Sequence, residues 1–179
     1  SCCQPFTVGW IGSPSTAPYL HLLVEPLRLF ALEQVVRFVV VGAPAPQIPG
    51  VEVVQHAWSQ REEVELIQRF DVGVMPLPDT PWTRGKCAYK LIQYMACGVP
   101  VIASPVGANL DVVTPGCGLL ANSSDAWLAS LRLFASNPSL REQYSASARL
   151  WVEQNYSLRT ALPILTSVIQ STAATHDFS

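Results

Sequence analysis

The chain has 179 residues, enough for one sizeable domain, of which 49% are apolar and only 13% are charged, against about 25% charged in an average globular protein. This composition excludes a disordered chain, a coiled coil and a nucleic-acid module driven by bulk positive charge. Against 11 basic and 13 acidic residues overall, residues 80–110 hold three basic and no acidic ones, and they include both lysines of the chain, Lys86 and Lys90. That concentration of positive charge predicts a bound anion.

The first part of the chain predicts short apolar strands separated by helices and proline-rich loops. The predicted strands are Thr7–Ile11, Val35–Val41 and Val51–Val54. Helices are predicted at Tyr19–Leu32, with a kink at Pro26, and from Ser59 to Phe70, where Ser59 and Glu62 have the spacing of a capping box. Ala43–Gly50 contains three prolines and is predicted to be a loop.

The alternation continues through the second part of the chain. The predicted strands are Asp71–Met75, Val99–Ala103 and Gly118–Leu120, with a proline-rich loop at Pro76–Thr83. Helices are predicted at Cys87–Cys97, near Leu110–Val113, and at Ser124–Ala135, Pro138–Asn155 and Ser157–Ser171. Strands that alternate with helices are typical of an α/β fold: a doubly wound parallel sheet of about six strands, with helices on both faces and the carboxyl-terminal helices packed around it.

Cysteine and histidine are scattered. The five cysteines, which are Cys2, Cys3, Cys87, Cys97 and Cys117, never form a C-x-x-C pair, and His21, His56 and His176 lie far apart. We therefore expect reduced thiols, a cytoplasmic protein and no zinc site. No apolar run approaches the roughly 18–20 residues of a membrane span, and no secretory signal is visible. The chain begins at Ser1 rather than Met, which we interpret as a fragment or excised domain.

Ligands of doubly wound sheets bind at the carboxyl ends of the strands, near a topological switch point. Three predicted loops follow strands and are rich in small residues: Gly12–Thr16, Pro76–Lys86 and Ser104–Asn109. Gly85 and the start of the next helix would offer backbone N–H groups to an anion, while Lys86 and Lys90 would add charge on one helix face. This chemistry suits a diphosphate. The alternative is a solvated basic helix end.

Other residues fit the remaining parts of a nucleotide ligand, each with a plainer alternative. The Gln93 amide can bond a ribose or sugar hydroxyl, or be an ordinary polar helix residue. Trp58, with His56, can stack on a base, or be a core aromatic. The Gly12–Thr16 loop can donate to phosphate, or be a simple turn.

Several motifs are absent from the sequence. It has no G-x-G-x-x-G after the first strand and no G-x-x-x-x-G-K-[ST], which argues against a dinucleotide oxidoreductase and a P-loop NTPase. It has no Asp-x-Asp pair for a divalent metal and no G-x-S-x-G elbow of an α/β-hydrolase.

The segment GKCAYKLIQYMACGVPVIASPVGAN, at Gly85–Asn109, resembles the signature region of retaining GT-B glycosyltransferases of the family 4 type. The resemblance continues in Gly9–Leu20, His56–Ser59 and Asp71–Trp82, and so covers nearly the whole chain. It corresponds to the carboxyl-terminal, donor-binding half of such enzymes. Residues 1–179 would then form a single Rossmann-like nucleotide-sugar-binding domain, with the amino-terminal acceptor domain absent.

The resemblance also implies roles for individual residues. The diphosphate would be bound by Gly12, Ser13, Thr16, Arg84, Lys86, Cys87, Ala88 and Lys90. Ribose or sugar would be bound by Gly85, Tyr89 and Gln93, and the base by His56 and Trp58. No catalytic residue is assigned, and the implied transfer retains configuration and needs neither metal nor cofactor, only the nucleotide-sugar donor as co-substrate.

This chain departs from the family at two places. Many members carry two glutamates eight positions apart, where Gly85 and Gln93 stand here, and members commonly carry Arg and Lys in the first loop, near Ser13 and Thr16 here. Lys86 and Lys90 would then supply the missing charge from the opposite side of the ligand.

The expected partners are a nucleotide diphosphate sugar, the amino-terminal domain and an acceptor glycan or lipid-linked sugar, with no nucleic acid. A lipid-linked acceptor would bring a cytoplasmic enzyme to the inner membrane face through its other half, and we expect this chain alone to be inactive. Two alternatives remain open: a stand-alone nucleotide- or phosphate-binding module, and a sugar-nucleotide epimerase, which the lack of acidic residues in 80–110 disfavours.

Overall fold

The computed structural model describes residues 4–174. Cys2, Cys3 and His176, which entered the predictions on thiols and zinc, lie outside these residues. Six parallel strands form one sheet in the order β3-β2-β1-β4-β5-β6, which is the Rossmann order. The strands are β1 Phe6–Ile11, β2 Val36–Val41, β3 Glu52–His56, β4 Val72–Met75, β5 Val101–Ala103 and β6 Gly118–Leu120. The predicted Rossmann-like parallel sheet is confirmed.

Eight α-helices and one 3₁₀ helix accompany the sheet in the described part of the chain. The 3₁₀ helix is Pro14–Leu23. The α-helices are α1 Val24–Phe30, α2 Glu63–Ile67, α3 Pro81–Arg84, α4 Tyr89–Ala96, α5 Asn109–Val112, α6 Ser124–Ser136, α7 Pro138–Asn155 and α8 Leu158–Ala174.

The sheet is buried on both faces because alternate side chains of each strand point to opposite sides. In β2, Phe38 and Val40 pack with α1 and α6 on one face, whereas Val39 and Val41 pack with α2, α4 and α7 on the other. Apolar runs of β-branched residues, without polar alternation, are what such a sheet requires.

The order of the strands reverses between β1 and β4. On the β1 side of this point, backbone hydrogen bonds join the carboxyl ends of β1, β2 and β3. The Gly12 N–H donates to the Val41 carbonyl at 3.0 Å, and the Gly42 N–H donates to the His56 carbonyl at 2.9 Å. Gly42 has φ +86°, and a Cβ on it would lie 2.5 Å from the Gly12 carbonyl oxygen. Only glycine fits this crossing, so the strand ends form a narrow, backbone-lined edge.

Two predicted helices differ from the structure at their starts. The predicted helix Tyr19–Leu32 is replaced by the 3₁₀ helix and α1, because Pro18 lacks the N–H that an α-helix needs, while Pro26 is tolerated in the first turn of α1. The capping box predicted at Ser59 and Glu62 is wrong. The Ser59 carbonyl, not its side chain, accepts from the N–H groups of Glu62 and Glu63, and α2 is shorter than predicted.

The segment around the lysines also differs. The last three residues of the predicted loop Pro76–Thr83 are instead part of α3, which Thr80 caps by a capping box with Thr83 and which begins with a proline at its first position. The predicted helix from Cys87 begins only at Tyr89, since Ala88 has φ +55°. Lys86 therefore precedes α4, and the prediction that both lysines lie on one helix face is wrong.

The last helix is the least buried element. Each described side chain from Ala161 to Thr172 is exposed. An exposed apolar row at helical spacing runs along the helix and consists of Leu158, Leu162, Leu165 and Ile169. Within residues 4–174, no helix is both long and apolar enough to cross a bilayer.

Candidate functional site

A pocket of about 880 Å³ opens at the carboxyl ends of β1 and β4, where the strand order reverses. Its walls come from the loops after β1, β2 and β3, from the end of β4, from α2, and from α4 with the segment that leads into it. Nine of the residues predicted to bind the donor line it: Gly12, Ser13, Trp58, Lys86, Cys87, Ala88, Tyr89, Lys90 and Gln93. The fold therefore brings most of the predicted set together at the predicted edge of the sheet.

The amino-terminal end of α4 borders this pocket. The first N–H groups of an α-helix have no partner within the helix and carry partial positive charge. Ala88, which is buried, reaches this position in the left-handed conformation, at φ +55°. A non-glycine residue in that region carries strain of about 1–3 kcal/mol, which often accompanies a functional site.

Tyr94 anchors α4 to β1 from below the pocket. Its hydroxyl accepts a hydrogen bond of 2.8 Å from the Ile11 N–H, and its side chain is fully buried. Burial raises the pKa of Tyr94 far above its usual value, so the hydroxyl stays protonated. This contact holds the end of β1, and with it Gly12, against α4.

Lys90 bridges the α4 end of the pocket to the loop after β1. Its Nζ donates to Thr16 Oγ1 at 3.3 Å and lies 5.1 Å from the centre of the Trp10 ring. Burial, assisted by the charge of Lys86, lowers the pKa of Lys90 to about 8. In these described surroundings the ammonium lacks a carboxylate partner, so an anion in the pocket would restore the balance of charge.

Lys86 is held at the mouth of the pocket by aromatic rings. Its Nζ lies 5.7 Å from the centre of the Trp82 ring and 5.9 Å from that of Tyr19, distances that allow cation–π attraction. The neighbouring Cys87 thiol and Tyr89 ring are exposed and also line the pocket. The two lysines thus approach the pocket from separate elements.

Glu63 is a pocket residue that the sequence analysis did not find. Its Oε2 accepts 2.8 Å from Trp58 Nε1, and its Oε1 accepts from Gln93 Nε2, so one carboxylate joins both predicted residues. The residues that line the pocket also include Gly42 and Gln60. The sequence signal for Glu63 was its position in the predicted helix from Ser59 to Phe70, five residues after Trp58, but no role was predicted for it.

Four predicted donor-binding residues lie outside the lining of the pocket. Arg84 forms an exposed ion pair with Asp79, with Nε 2.6 Å from Oδ1, and Gly85 ends α3 beside it. Thr16 is buried under Lys90, as described above. His56 lines a smaller cavity of about 290 Å³. Their roles in donor binding stay predictions.

The described cysteines, Cys87, Cys97 and Cys117, are free thiols. Among residues 4–174, no three side chains of His, Cys, Asp or Glu come together as a metal-binding group. The polar chemistry described for the pocket is that of two ammonium groups, helix N–H groups, amide, hydroxyl and indole donors, and one carboxylate.

The family model for glycosyl transferases group 1 matches residues 5–137. These residues include the whole sheet and every residue that lines the pocket. The chain belongs to this family. The group 1 assignment agrees with the resemblance found in the sequence at the level of the glycosyltransferase family and of the GT-B type of fold.

Known relatives of this group 1 glycosyltransferase chain include a GDP-mannose-dependent monoacylated alpha-(1-6)-phosphatidylinositol monomannoside mannosyltransferase of Corynebacterium glutamicum. The two are 35% identical over 82 residues, which is 45% of this chain and 22% of that protein. The chain thus spans less than a quarter of the length of this curated relative.

Solved structures share the fold at low sequence identity. HepE of Anabaena in complex with UDP and glucose has a TM-score of 0.75 at 17% identity, covering 93% of this chain and 48% of HepE. Sucrose-phosphate synthase of Thermosynechococcus elongatus has a TM-score of 0.72 at 21% identity, covering 96% of this chain and 46% of the synthase. The group 1 chain spans about half the length of these proteins.

Proposed function

We propose that this chain is the donor-binding half of a retaining, metal-independent GT-B glycosyltransferase of the family 4 type. The observation that carries the proposal is the convergence of Lys86, Lys90 and the amino-terminal end of α4 on one pocket at the switch point of the sheet. Two cations and a positive helix end suit a diphosphate, and other residues that line the pocket offer groups that bond sugar hydroxyls and stack on a base.

In the proposed reaction, the bond between the sugar's anomeric carbon and the diphosphate oxygen breaks, and the acceptor hydroxyl oxygen bonds to that carbon. The electron pair of the broken bond stays on the diphosphate, which takes up the proton of the acceptor hydroxyl. Lys86 and Lys90 would neutralise this developing charge in a partly buried site, where preorganised charges act most strongly. Ser13 and Thr16, with Gly12, would border the phosphates from the loop after β1.

The sugar would lie near Tyr89 and Gln93, and the base near Trp58, whose ring is 56% exposed. His56, at the end of β3, would contact the base only at its outer edge. Both UDP and GDP remain in the proposal, because HepE was solved with UDP and the Corynebacterium relative is named as GDP-mannose-dependent.

The acceptor is proposed to bind to a second, amino-terminal domain across the cleft from this pocket. This proposal is supported by the half-length coverage of HepE and by the exposed apolar face of α8, which a second domain would cover. This chain alone would then bind the donor without transferring it. An acceptor glycan or lipid-linked sugar fits the naming of the Corynebacterium relative, and it would place the enzyme at the cytoplasmic membrane face.

Calorimetric titration of the chain with UDP and with GDP tests the proposal. We expect one of them to bind, and Lys90→Ala to weaken that binding by about tenfold to a hundredfold, the range for a hydrogen bond to a charged group. Arg28→Ala is the control, because Arg28 pairs with Glu25 on α1 and does not line the pocket. Equal affinity of Lys90→Ala and the wild type would refute the role of Lys90, and binding of neither nucleotide would refute the function.

A further inference from the structure

The pocket is also lined by a carboxylate on α2 to which no role has been assigned. Glu63 is the first residue of α2 and is half-buried. It is the single acidic side chain among the residues that line this pocket. Its two oxygens are held by one donor each, Trp58 Nε1 on Oε2 and Gln93 Nε2 on Oε1. The carboxylate is therefore fixed in place before any ligand binds.

These contacts leave Glu63 with unused acceptor capacity. An ionised carboxylate offers about four acceptor positions on its two oxygens. The indole and the amide occupy one position on each oxygen, so each oxygen can accept a further hydrogen bond. A ligand group matched to this arrangement must supply two adjacent donors without negative charge. A vicinal diol does so, whereas a phosphate would be repelled.

The hydrogen bonds also define an order of groups along the pocket. Gln93 lies on α4 one turn after Lys90, Glu63 contacts Gln93, and Trp58 contacts Glu63. A cation, a carboxylate and an exposed indole thus follow one another. In a nucleoside diphosphate the phosphates, the ribose and the base follow one another in the same order.

We propose that Glu63 binds the 2′ and 3′ hydroxyls of the ribose, with Gln93 and Trp58 as the positioning residues that hold its carboxylate. This inference rests on the proposed function and assigns the ribose contact to an element other than α4. Glu63 then makes the pocket selective for ribonucleotides, and its negative charge keeps the diphosphate at the lysine end.

The test is the ratio of dissociation constants for 2′-deoxy-UDP and UDP, or for the corresponding guanine pair if GDP is the better ligand. Titrations use the wild type, Glu63→Gln and Glu65→Gln. Glu65 is the matched control, since it lies on the same helix, is exposed and does not line the pocket. Melting curves check that each variant folds.

We expect the wild type and Glu65→Gln to bind the ribonucleotide about tenfold or more tightly than the deoxynucleotide. In Glu63→Gln the two dissociation constants should differ by no more than about threefold, because a neutral amide accepts hydrogen bonds from hydroxyl groups less strongly than a carboxylate does. Two results would overturn the assignment without affecting the proposal that the pocket binds a nucleotide. One is equal affinity of the wild type for the two nucleotides, and the other is a ratio that is the same in Glu63→Gln as in the wild type.

If Glu63→Gln is unfolded or binds neither nucleotide, the ratio of the two dissociation constants in the wild type is the measurement that decides on the ribose assignment. If the wild type binds neither UDP nor GDP, the proposed function fails and the inference fails with it. Failure of the ribose assignment is therefore distinct from failure of the proposed function.

Discussion

The pocket at the switch point and helix α8 depart from ordinary protein surfaces in opposite directions. Beside the pocket, polar groups are partly or wholly buried. The Tyr94 hydroxyl is buried below the pocket, and burial lowers the pKa of the Lys90 ammonium. Along α8, large apolar side chains are exposed and Arg159 is the sole charged residue. Both arrangements cost free energy in the isolated chain.

The polar groups beside the pocket and the apolar residues of α8 differ in what they contribute to the stability of this chain. The Tyr94 hydroxyl accepts a hydrogen bond from β1 and stabilises the fold, whereas the described partners of the Lys90 ammonium are only the Thr16 hydroxyl and the Trp10 ring. The apolar residues of α8 contribute little to the stability of this chain, and they would become buried only against the surface of a partner. Substitutions should therefore have large effects at Tyr94, intermediate effects at Lys90 and very small effects at α8.

The largest expected effect is at Tyr94. Tyr94→Ala should lower the free energy of unfolding by about 3–5 kcal/mol, because it leaves a cavity between α4 and the sheet, where the ring lies against Gly73. Tyr94→Phe should lower it by about 1–3 kcal/mol, because the buried Ile11 N–H loses its acceptor. Urea denaturation followed by circular dichroism measures both changes.

A cost of less than about 0.5 kcal/mol for Tyr94→Phe would contradict the role of the hydroxyl, since surface substitutions have effects of that size. Tyr89→Phe is the control, because Tyr89 lies on the same helix with its ring 61% exposed. Its free energy of unfolding should equal that of the wild type.

At Lys90, the stability of the free chain and its affinity for a diphosphate should change in opposite directions. The folded-state pKa of about 8 lies below the ordinary 10.5, so the unfolded chain binds more protons between these values. The free energy of unfolding should therefore rise with pH across this window. Lys90→Met should remove this rise and stabilise the free chain at pH 7 by about 1 kcal/mol.

Binding of UDP or GDP should weaken as the pH rises above about 8, because the neutral amine no longer attracts phosphate. The terminal phosphate, with a pKa of about 6, stays ionised throughout. Denaturation and titration from pH 7 to 10 should show these opposite trends in the wild type, and neither in Lys90→Met. A variant with the same two profiles as the wild type would refute the assignment of the titration to Lys90.

The features that follow from local pattern were predictable from the sequence. Runs of β-branched residues predicted β2 and its neighbours, and the clustering of Lys86 and Lys90 predicted one side of the pocket. The carboxylate on the other side was not predictable, because Glu63 and Gln93 are 30 residues apart and meet only through packing of α2 against α4. Local spacing had instead assigned this region a capping box.

Backbone conformation accounts for the remaining differences. Alanine is the best helix former, so nothing in the sequence predicts that Ala88 adopts φ +55° and delays the start of α4. The strain is compatible with the fold because Ala88 is buried and its neighbours are held in place, Lys86 by aromatic rings and Lys90 by Thr16. Long-range contacts of this kind override local propensity.

The smallest expected effect is on α8. Replacing Leu165 and Ile169 together with glutamine should change the free energy of unfolding of this chain by no more than about 0.5 kcal/mol, because both side chains are more than half exposed. Val152→Ala on α7 is the control, since Val152 is 5% exposed and packs toward α4. It should cost clearly more, about 1–3 kcal/mol.

A double variant as destabilised as Val152→Ala would mean that α8 stabilises this chain itself. An unchanged stability together with weaker association with a separately supplied amino-terminal half, measured by sedimentation, would instead assign the apolar face of α8 to the contact between the two halves.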